Sequence, residues 1–406
     1  MLLTLGAVTL TGVTAAEHSA EVRASRGEML KEGAAQLRTG SGWSNGRSGS
    51  DLDQVAAPSL RSAAASLVSS SDPTGRIVKY AHLSGTDWES EPVAVCSGDA
   101  SLGLDASGTP HIGYTHCGPE VRRAVLSDTT WLSETVNGAA MRPSLVLDSS
   151  GNPHLAYPDL QPLPPGGAGQ GIKYAYWTGS VWVKQGVDAV KSNQVPSLAL
   201  DSSDVPHVAY YDEGNDSLKY AVLSGTVWIS QTVDAFAGDP SLVLDSFDVP
   251  HIAYTQSGPQ VGYAVLSGTT WLTQTVEGAA IRPSLALDSS DNPRLSYCSF
   301  LPPAIGGGLK YAFSTGSGWV KTRADAIACD SPSLGLDGSD TPHIAYHDSS
   351  GNSVKYAVLS DTTWINETVD EYALDPSLAI DSLGDPHVAY THVEYRTYVP
   401  LCLMRR

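Results

Sequence analysis

The chain has 406 residues, 43 acidic against 24 basic, for a formal net charge of −19. Phe and Met occur four times each, beside 18 Tyr, nine Trp and 39 Gly. The charge balance excludes nucleic acid as a partner, because no basic stripe exists to neutralise phosphates, and the composition favours many short strands and tight turns over helices.

Residues 1–16, MLLTLGAVTLTGVTAA, form a short apolar run that ends in small residues. It has the character of a signal-peptide core with cleavage after Ala16, which predicts a secreted protein. The run is too short to span a bilayer, and the chain offers no other transmembrane segment. Residues 17–74 are rich in Ser, Ala and Gly without periodicity and read as a flexible leader, although Ala57-Pro-Ser-Leu60 has the look of a decayed strand.

From residue 75 the chain becomes periodic. It opens with two extended runs, IVKYAHLSGTDWESEPV, and then enters a tandem repeat of about 45 residues anchored on Pro-Ser-Leu-x-Leu-Asp. The anchor serines are Ser101, Ser144, Ser197, Ser241, Ser284, Ser333 and Ser377. The clearest copy, from Pro196, contains four short extended runs: PSLALD, PHVAYYD, LKYAVLS and WISQTVD. Large residues alternate with small ones along the first two runs (Leu198 and Leu200 against Ser197 and Ala199), which suits a sheet covered on both faces by close neighbours. Four strands at this period specify a blade of an all-β propeller.

The aspartate ending the first strand occurs seven times (Asp105, Asp148, Asp201, Asp245, Asp288, Asp337, Asp381), and so does the tryptophan opening the fourth (Trp88, Trp131, Trp182, Trp228, Trp271, Trp319, Trp364). The first tryptophan precedes the first aspartate. The chain therefore starts with the outer half of a blade and ends with an inner half, PSLAIDSLGDPHVAYTH. Joining the halves gives a seven-bladed β-propeller of four-stranded antiparallel blades over 75–392, closed by two N-terminal and two C-terminal strands, with no open edge at the seam. Blades 1 to 3 resemble blades 4 to 6 at a shift of 140 residues, from Ser101 to Ser241, as in a duplicated cassette. Residues 393–406 leave the repeat as a C-terminal tail.

Repetition points to architecture. The histidine after each second-strand proline (His111, His154, His207, His251, His343, His387, with Arg294 in blade 5) is read as satisfying a turn carbonyl or the strand-end Asp. The seven Asp are read as hairpin caps and the seven Trp as packing first, sugar-stacking platforms second. Departures from the repeat carry the functional signal. Two Pro/Gly-rich insertions, 158–171 in blade 2 and 300–308 in blade 5, lie on the face that also carries the connections between blades. On that face the residue two before each anchor serine should stand at the channel mouth: Asp99, Arg142, Val195, Asp239, Arg282, Ser331 and Asp375. Asp99–Arg142 and Asp239–Arg282 are expected to form neighbouring ion pairs. Asp99, Arg142, Asp239, Arg282 and Asp375, together with Asp159, Tyr211 and His347 near the ends of second strands, are the candidate ligand contacts.

Five cysteines suit an oxidising compartment. Cys96 precedes blade 1, Cys117 and Cys298 read as loop residues of blades 1 and 5, and Cys329 leads into blade 6; all four should sit on the insertion face, so Cys96–Cys117 and Cys298–Cys329 are the preferred disulfides, and Cys402 is left over. His116, His347 and His392 fall in adjacent blades but on separate loops, and Asp212, Asn215 and Asp216 read as a solvated turn, so no metal and no cofactor is expected.

The hairpin AVLSGTTW at Ala264–Trp271 resembles the Gly-x-Thr-Trp half of the Asp-box (BNR) repeat of sialidase-like propellers, with Leu266 where the Asp-box has its aspartate. The repeat as a whole is similar to exported bacterial propellers grouped with sialidase-like and fucose-lectin-like folds. That resemblance implies an extracellular binding or adhesion module for carbohydrate or a cell-surface polymer. A protein-interaction scaffold is the first alternative, and a sialidase-like glycoside hydrolase or lyase the second. A sialidase site would need an arginine cluster and a Tyr–Glu nucleophile pair, and the sequence repeats neither.

Overall fold

A computed structural model describes residues 75–160 and 171–394. The signal-peptide and leader segments, Ala57–Leu60, most of the blade 2 insertion, the tail beyond residue 394 and Cys402 lie outside the described residues. Twenty-eight strands form seven four-stranded antiparallel sheets. Six sheets are continuous in sequence. The seventh orders Asp87–Val95, Arg76–Ser84, Pro386–Val393 and Ala373–Ile380, so the two ends of the described chain interlock as the sequence requires. Among the described residues no helix is long and apolar enough to cross a membrane.

Each inner strand touches the inner strands of both neighbouring blades, which closes the ring. The second strands are covered on both faces. Val208 and Tyr210 of blade 3 pack with Ala156, Ile172 and Tyr174 of blade 2, while Ala209 on the opposite face meets Ile252 and Tyr254 of blade 4. A large-residue face therefore nests on the small-residue face of the preceding blade. At Gly113 the small face shrinks further: a Cβ there would lie 3.0 Å from Leu155 of the next blade.

Three repeated devices hold the ring. Each anchor serine accepts, through Oγ, the leucine N–H of the next inner strand: Leu145 to Ser101, Leu198 to Ser144, Leu242 to Ser197, Leu285 to Ser241, Leu334 to Ser284, Leu378 to Ser333, and at the seam Leu102 to Ser377, at 2.9–3.1 Å. The girdle is unbroken around all seven blades. Each strand-end aspartate caps its own hairpin, as Asp105 does by accepting from the N–H groups of Ser107 and Thr109 at 2.8 and 2.9 Å. Six of the seven tryptophans meet edge-on a third-strand tyrosine of the preceding blade, for example Trp131 against Tyr80 and Trp228 against Tyr174 at 5.5 Å. Such pairs add about 0.5–1.5 kcal/mol each beyond area burial. Trp182 is the exception, because blade 1 carries Arg123 in place of the tyrosine, and it meets Trp177 of its own blade at a tilt of 54° instead.

Both expected disulfides form. Cys298 lies within the second strand of blade 5, Pro293–Ser299, and not in the loop where the sequence puts it, so its bond to Cys329 ties blade 5 to the first residue of the blade 6 inner strand.

Candidate functional site

The repeated histidines are structural. In five blades the imidazole Nδ1 takes the hydroxyl of a third-strand tyrosine, as in the 2.5 Å contacts of His154 with Tyr174 and His387 with Tyr80. Its Nε2 faces the strand-end aspartate at 3.4–3.6 Å. In blade 1 the guanidinium of Arg123 donates to His111 Nδ1 at 3.0 Å, which requires a neutral imidazole, and burial followed by that guanidinium lowers the His111 pKa to about 4. In blade 5 Arg294 takes over the role, forking onto Asp288 and covering the Phe313 ring.

The channel mouth is built by the connections from each fourth strand to the next inner strand. In five of the seven blades the inner strand slips register before the anchor serine and the extra residues form a bulge, while in blades 2 and 3 the strand begins at the serine and the same positions lie in the connection just before it. Asp99, Arg142, Asp239, Arg282, Ser331 and Asp375 all take left-handed backbone there, with φ between 45° and 52°. A proline follows each of them except Asp99, and it suits a bulge because it has no N–H to leave unpaired. The freed N–H groups find side chains of the preceding blades: Arg142 and Arg282 donate to the hydroxyls of Thr115 and Thr255, and Asp239 donates to Gln194 Oε1 at 2.6 Å. Gly238 is required for the last contact, since a Cβ there would lie 2.5 Å from that oxygen.

Together these residues line a cavity of about 680 Å³. Its walls are Asp99, Arg142, Val195, Asp239, Arg282, Ser331 and Asp375, with Asn193, Gln194 and the adjoining prolines and anchor serines. All seven positions read from the sequence thus come together. The expected Asp99–Arg142 and Asp239–Arg282 ion pairs do not form among the described residues. Instead Arg142 donates to the Asn193 carbonyl in the next connection around the ring, and Arg282 pairs with Asp330, the second residue of the next inner strand. The left-handed backbone turns each arginine forward, away from the aspartate behind it. Burial raises the carboxyl pKa of Asp239, against the opposing charge of Arg282, and burial followed by the neighbouring Asp99 raises that of Asp375. Ser331 donates to Asp375 at 3.2 Å.

Asp159, Tyr211 and His347 do not line the cavity. Asp159 stands 4.0 Å from Lys173, and Tyr211 donates to Asp216 at 2.8 Å, its phenol pushed up to about 12 by burial and then by that carboxylate. The blade 5 insertion does not wall the mouth either. Its turn, Pro303–Ile305, is held by Arg323 of its own fourth strand, which donates to the Pro303 carbonyl at 2.8 Å, and none of its residues lines the cavity. Asp212 caps its own turn through Gly214 and Asn215, and among the described residues no three His, Cys, Asp or Glu side chains gather at metal-binding distance. Sequence reasoning missed Asn193 and Gln194, because the blade 3 connection departs from the repeat there.

No protein-family model and no curated protein matches the chain. Among solved structures, it is similar to AofleA from Arthrobotrys oligospora (12% identity over 74% of this chain and 90% of that one, TM-score 0.47). It is also similar to a fucose-specific lectin from Aleuria aurantia (13% identity over 68% and 96%, TM-score 0.48). A third likeness is to a polysaccharide lyase described as a PL25 ulvan lyase (10% identity over 70% and 88%, TM-score 0.49). At such identities nothing about ligands or residue roles carries over from them.

Proposed function

We propose that this protein is an exported, non-catalytic binding module that takes neutral carbohydrate, free or on a cell-surface polymer, at the channel mouth. The observation that supports the reading is the lining of the cavity: carboxyls, amides and hydroxyls held on the connections and the starts of the inner strands beside a ring of prolines, a polar wall suited to sugar hydroxyls. Three carboxyls face two guanidiniums, and both guanidiniums already bond their neighbours. An acidic glycan would meet repulsion and no uncommitted arginine pair, so the ligand class is neutral.

Glycoside hydrolysis or lysis is a second reading, favoured by Asp375, whose raised carboxyl beside Asp99 has the electrostatics of a general acid. Against it, no Tyr, Glu or His lines the cavity among the described residues. A scaffold for another extracellular protein draws on the exposed Phe300, Leu301 and Ile305 of the blade 5 insertion. A glycan array followed by calorimetry tests the first reading: saturable binding of neutral sugars, lost in Asp239→Ala and Asp375→Ala, is expected. Binding to no sugar by the folded protein overturns it, and product release from a bound oligosaccharide replaces it with the hydrolase.

A further inference from the structure

Beside the three devices that run round the whole ring, a partial one pins neighbouring blades through a carboxylate. In five of the seven blades the fourth strand carries an acid at one register: Asp188, Asp234, Glu277, Asp325 and Asp370. The buried second-strand tyrosine of the next blade donates to it, from Tyr210, Tyr254, Tyr297, Tyr346 and Tyr390 in turn, at 2.6–3.3 Å. In three interfaces a lysine on the third strand, opposite that tyrosine, reaches the same carboxylate: Lys219 to Asp188, Lys355 to Asp325 and Lys79 to Asp370. A phenol and a cation closing on one carboxylate make a carboxylate receptor.

Blade 1 keeps the receptor and lacks the carboxylate. Tyr114 and Arg122 stand opposite each other in register, as Tyr210 and Lys219 do. At the register of Asp188 the fourth strand of blade 7 offers only Ala94, opposite Val78. Among the described residues the Arg122 guanidinium makes no hydrogen bond and no ion pair, and its Nε is buried without a partner. Tyr114 bonds Ser133 of its own blade at 2.6 Å instead. Either hydroxyl can donate in that pair, so the serine can supply the proton and leave the phenol to donate outward. Burial raises the phenol pKa and keeps it a neutral donor. Arg122 and Ala94 are both partly exposed, which leaves a path from solvent. On the other side of blade 1 the register holds Asn137, and Lys173 stands 4.0 Å from Asp159 of its own blade, so that cation has an acid beside it.

We propose that the gap between blades 7 and 1 binds a single carboxylate, held by the Arg122 guanidinium and the Tyr114 hydroxyl where an acidic side chain sits in the sister interfaces. The site is separate from the mouth, since neither residue lines that cavity. A guanidinium offers parallel N–H groups to both oxygens of a carboxylate. The net charge of −19 repels a polyanion, so the ligand brings one carboxylate on a sugar acid or on an acidic side chain.

Calorimetric titration of the whole protein with glucuronate and with a capped aspartate, each against its neutral amide, tests the site. Each carboxylate is expected to bind one-to-one and roughly tenfold or more tighter than its amide. The tighter carboxylate names the source. Arg122→Gln should remove the preference for carboxylate and leave binding of the amides as in wild type, while Arg122→Lys, the pairing of the sister blades, should keep part of it. Ala94→Asp supplies the carboxylate from within, and should both raise the thermal midpoint and block the titration. A wild-type protein with no preference for carboxylate over amide overturns the site, and so does a preference that survives Arg122→Gln and Ala94→Asp.

Discussion

Acidification from pH 7.5 to pH 5.0 should destabilise the ring through its neutral histidines. Burial lowers the pKa values of His111, His154, His207, His251 and His387, that of His111 to about 4 from an ordinary value of 6.5. Below pH 6.5 the unfolded chain takes protons that the folded one refuses, so stability is intact above that pH and is lost as pH falls towards the folded value. For His111 alone, an unfolded pKa of 6.5 and a folded pKa of about 4 give a loss of roughly 2 kcal/mol at pH 5.0 and almost none at pH 7.5. Urea unfolding of wild type and His111→Gln at both pH values isolates this contribution, because the other titrating groups are common to the two proteins. The variant starts less stable at pH 7.5, having lost the bond from Arg123, but its further fall at pH 5.0 should be smaller than that of wild type by about 2 kcal/mol. Equal falls, or a wild-type protein that gains stability on acidification, would refute the argument that the imidazole is held neutral.

Three further outcomes follow from the ring and its mouth. Ser377→Ala orphans the Leu102 N–H at the seam and should cost about 1–2 kcal/mol in denaturant unfolding, with Ser197→Ala between continuous blades as the comparison. Replacing both cysteines of either disulfide by serine should cost about 3–4 kcal/mol, slightly more for Cys298–Cys329, whose loop spans 31 residues against 21, as read from guanidinium unfolding under oxidising conditions. Asp375→Asn should raise stability at pH 7, since the native carboxylate there is disfavoured by burial and by Asp99. That gain should vanish below the carboxylate range, where the native acid is already neutral, and a gain that persists at pH 3 would contradict the assignment.

Much of the ring was legible because its signals are local. The aspartate and tryptophan counts specify blades, and large–small alternation specifies faces that nest. Partners a whole blade away were not legible. The anchor serine marks the repeat plainly, yet nothing near Ser101 says that its hydroxyl serves Leu145 on the inner strand of the next blade. The histidines were read correctly as structural, while their tyrosine partners, on the adjacent strand, went unnamed. At the mouth, sequence order suggested Asp–Arg neighbours, and the left-handed backbone overrode it by turning both arginines forward.

The interlocked seventh blade also bears on how the protein is made. Strands Arg76–Ser84 and Asp87–Val95 are among the first propeller segments to be translated, and their partners Ala373–Ile380 and Pro386–Val393 are the last. At ordinary synthesis rates the early pair waits on the order of tens of seconds with an unpaired edge. During that wait the hairpin is a template for any passing strand, including its counterpart on a second nascent copy. Crowded polysomes should therefore yield exchanged dimers closed by each other's last strands. A circular permutant whose ends fall between blades 3 and 4 would make the two halves of blade 7 contiguous and remove that hazard.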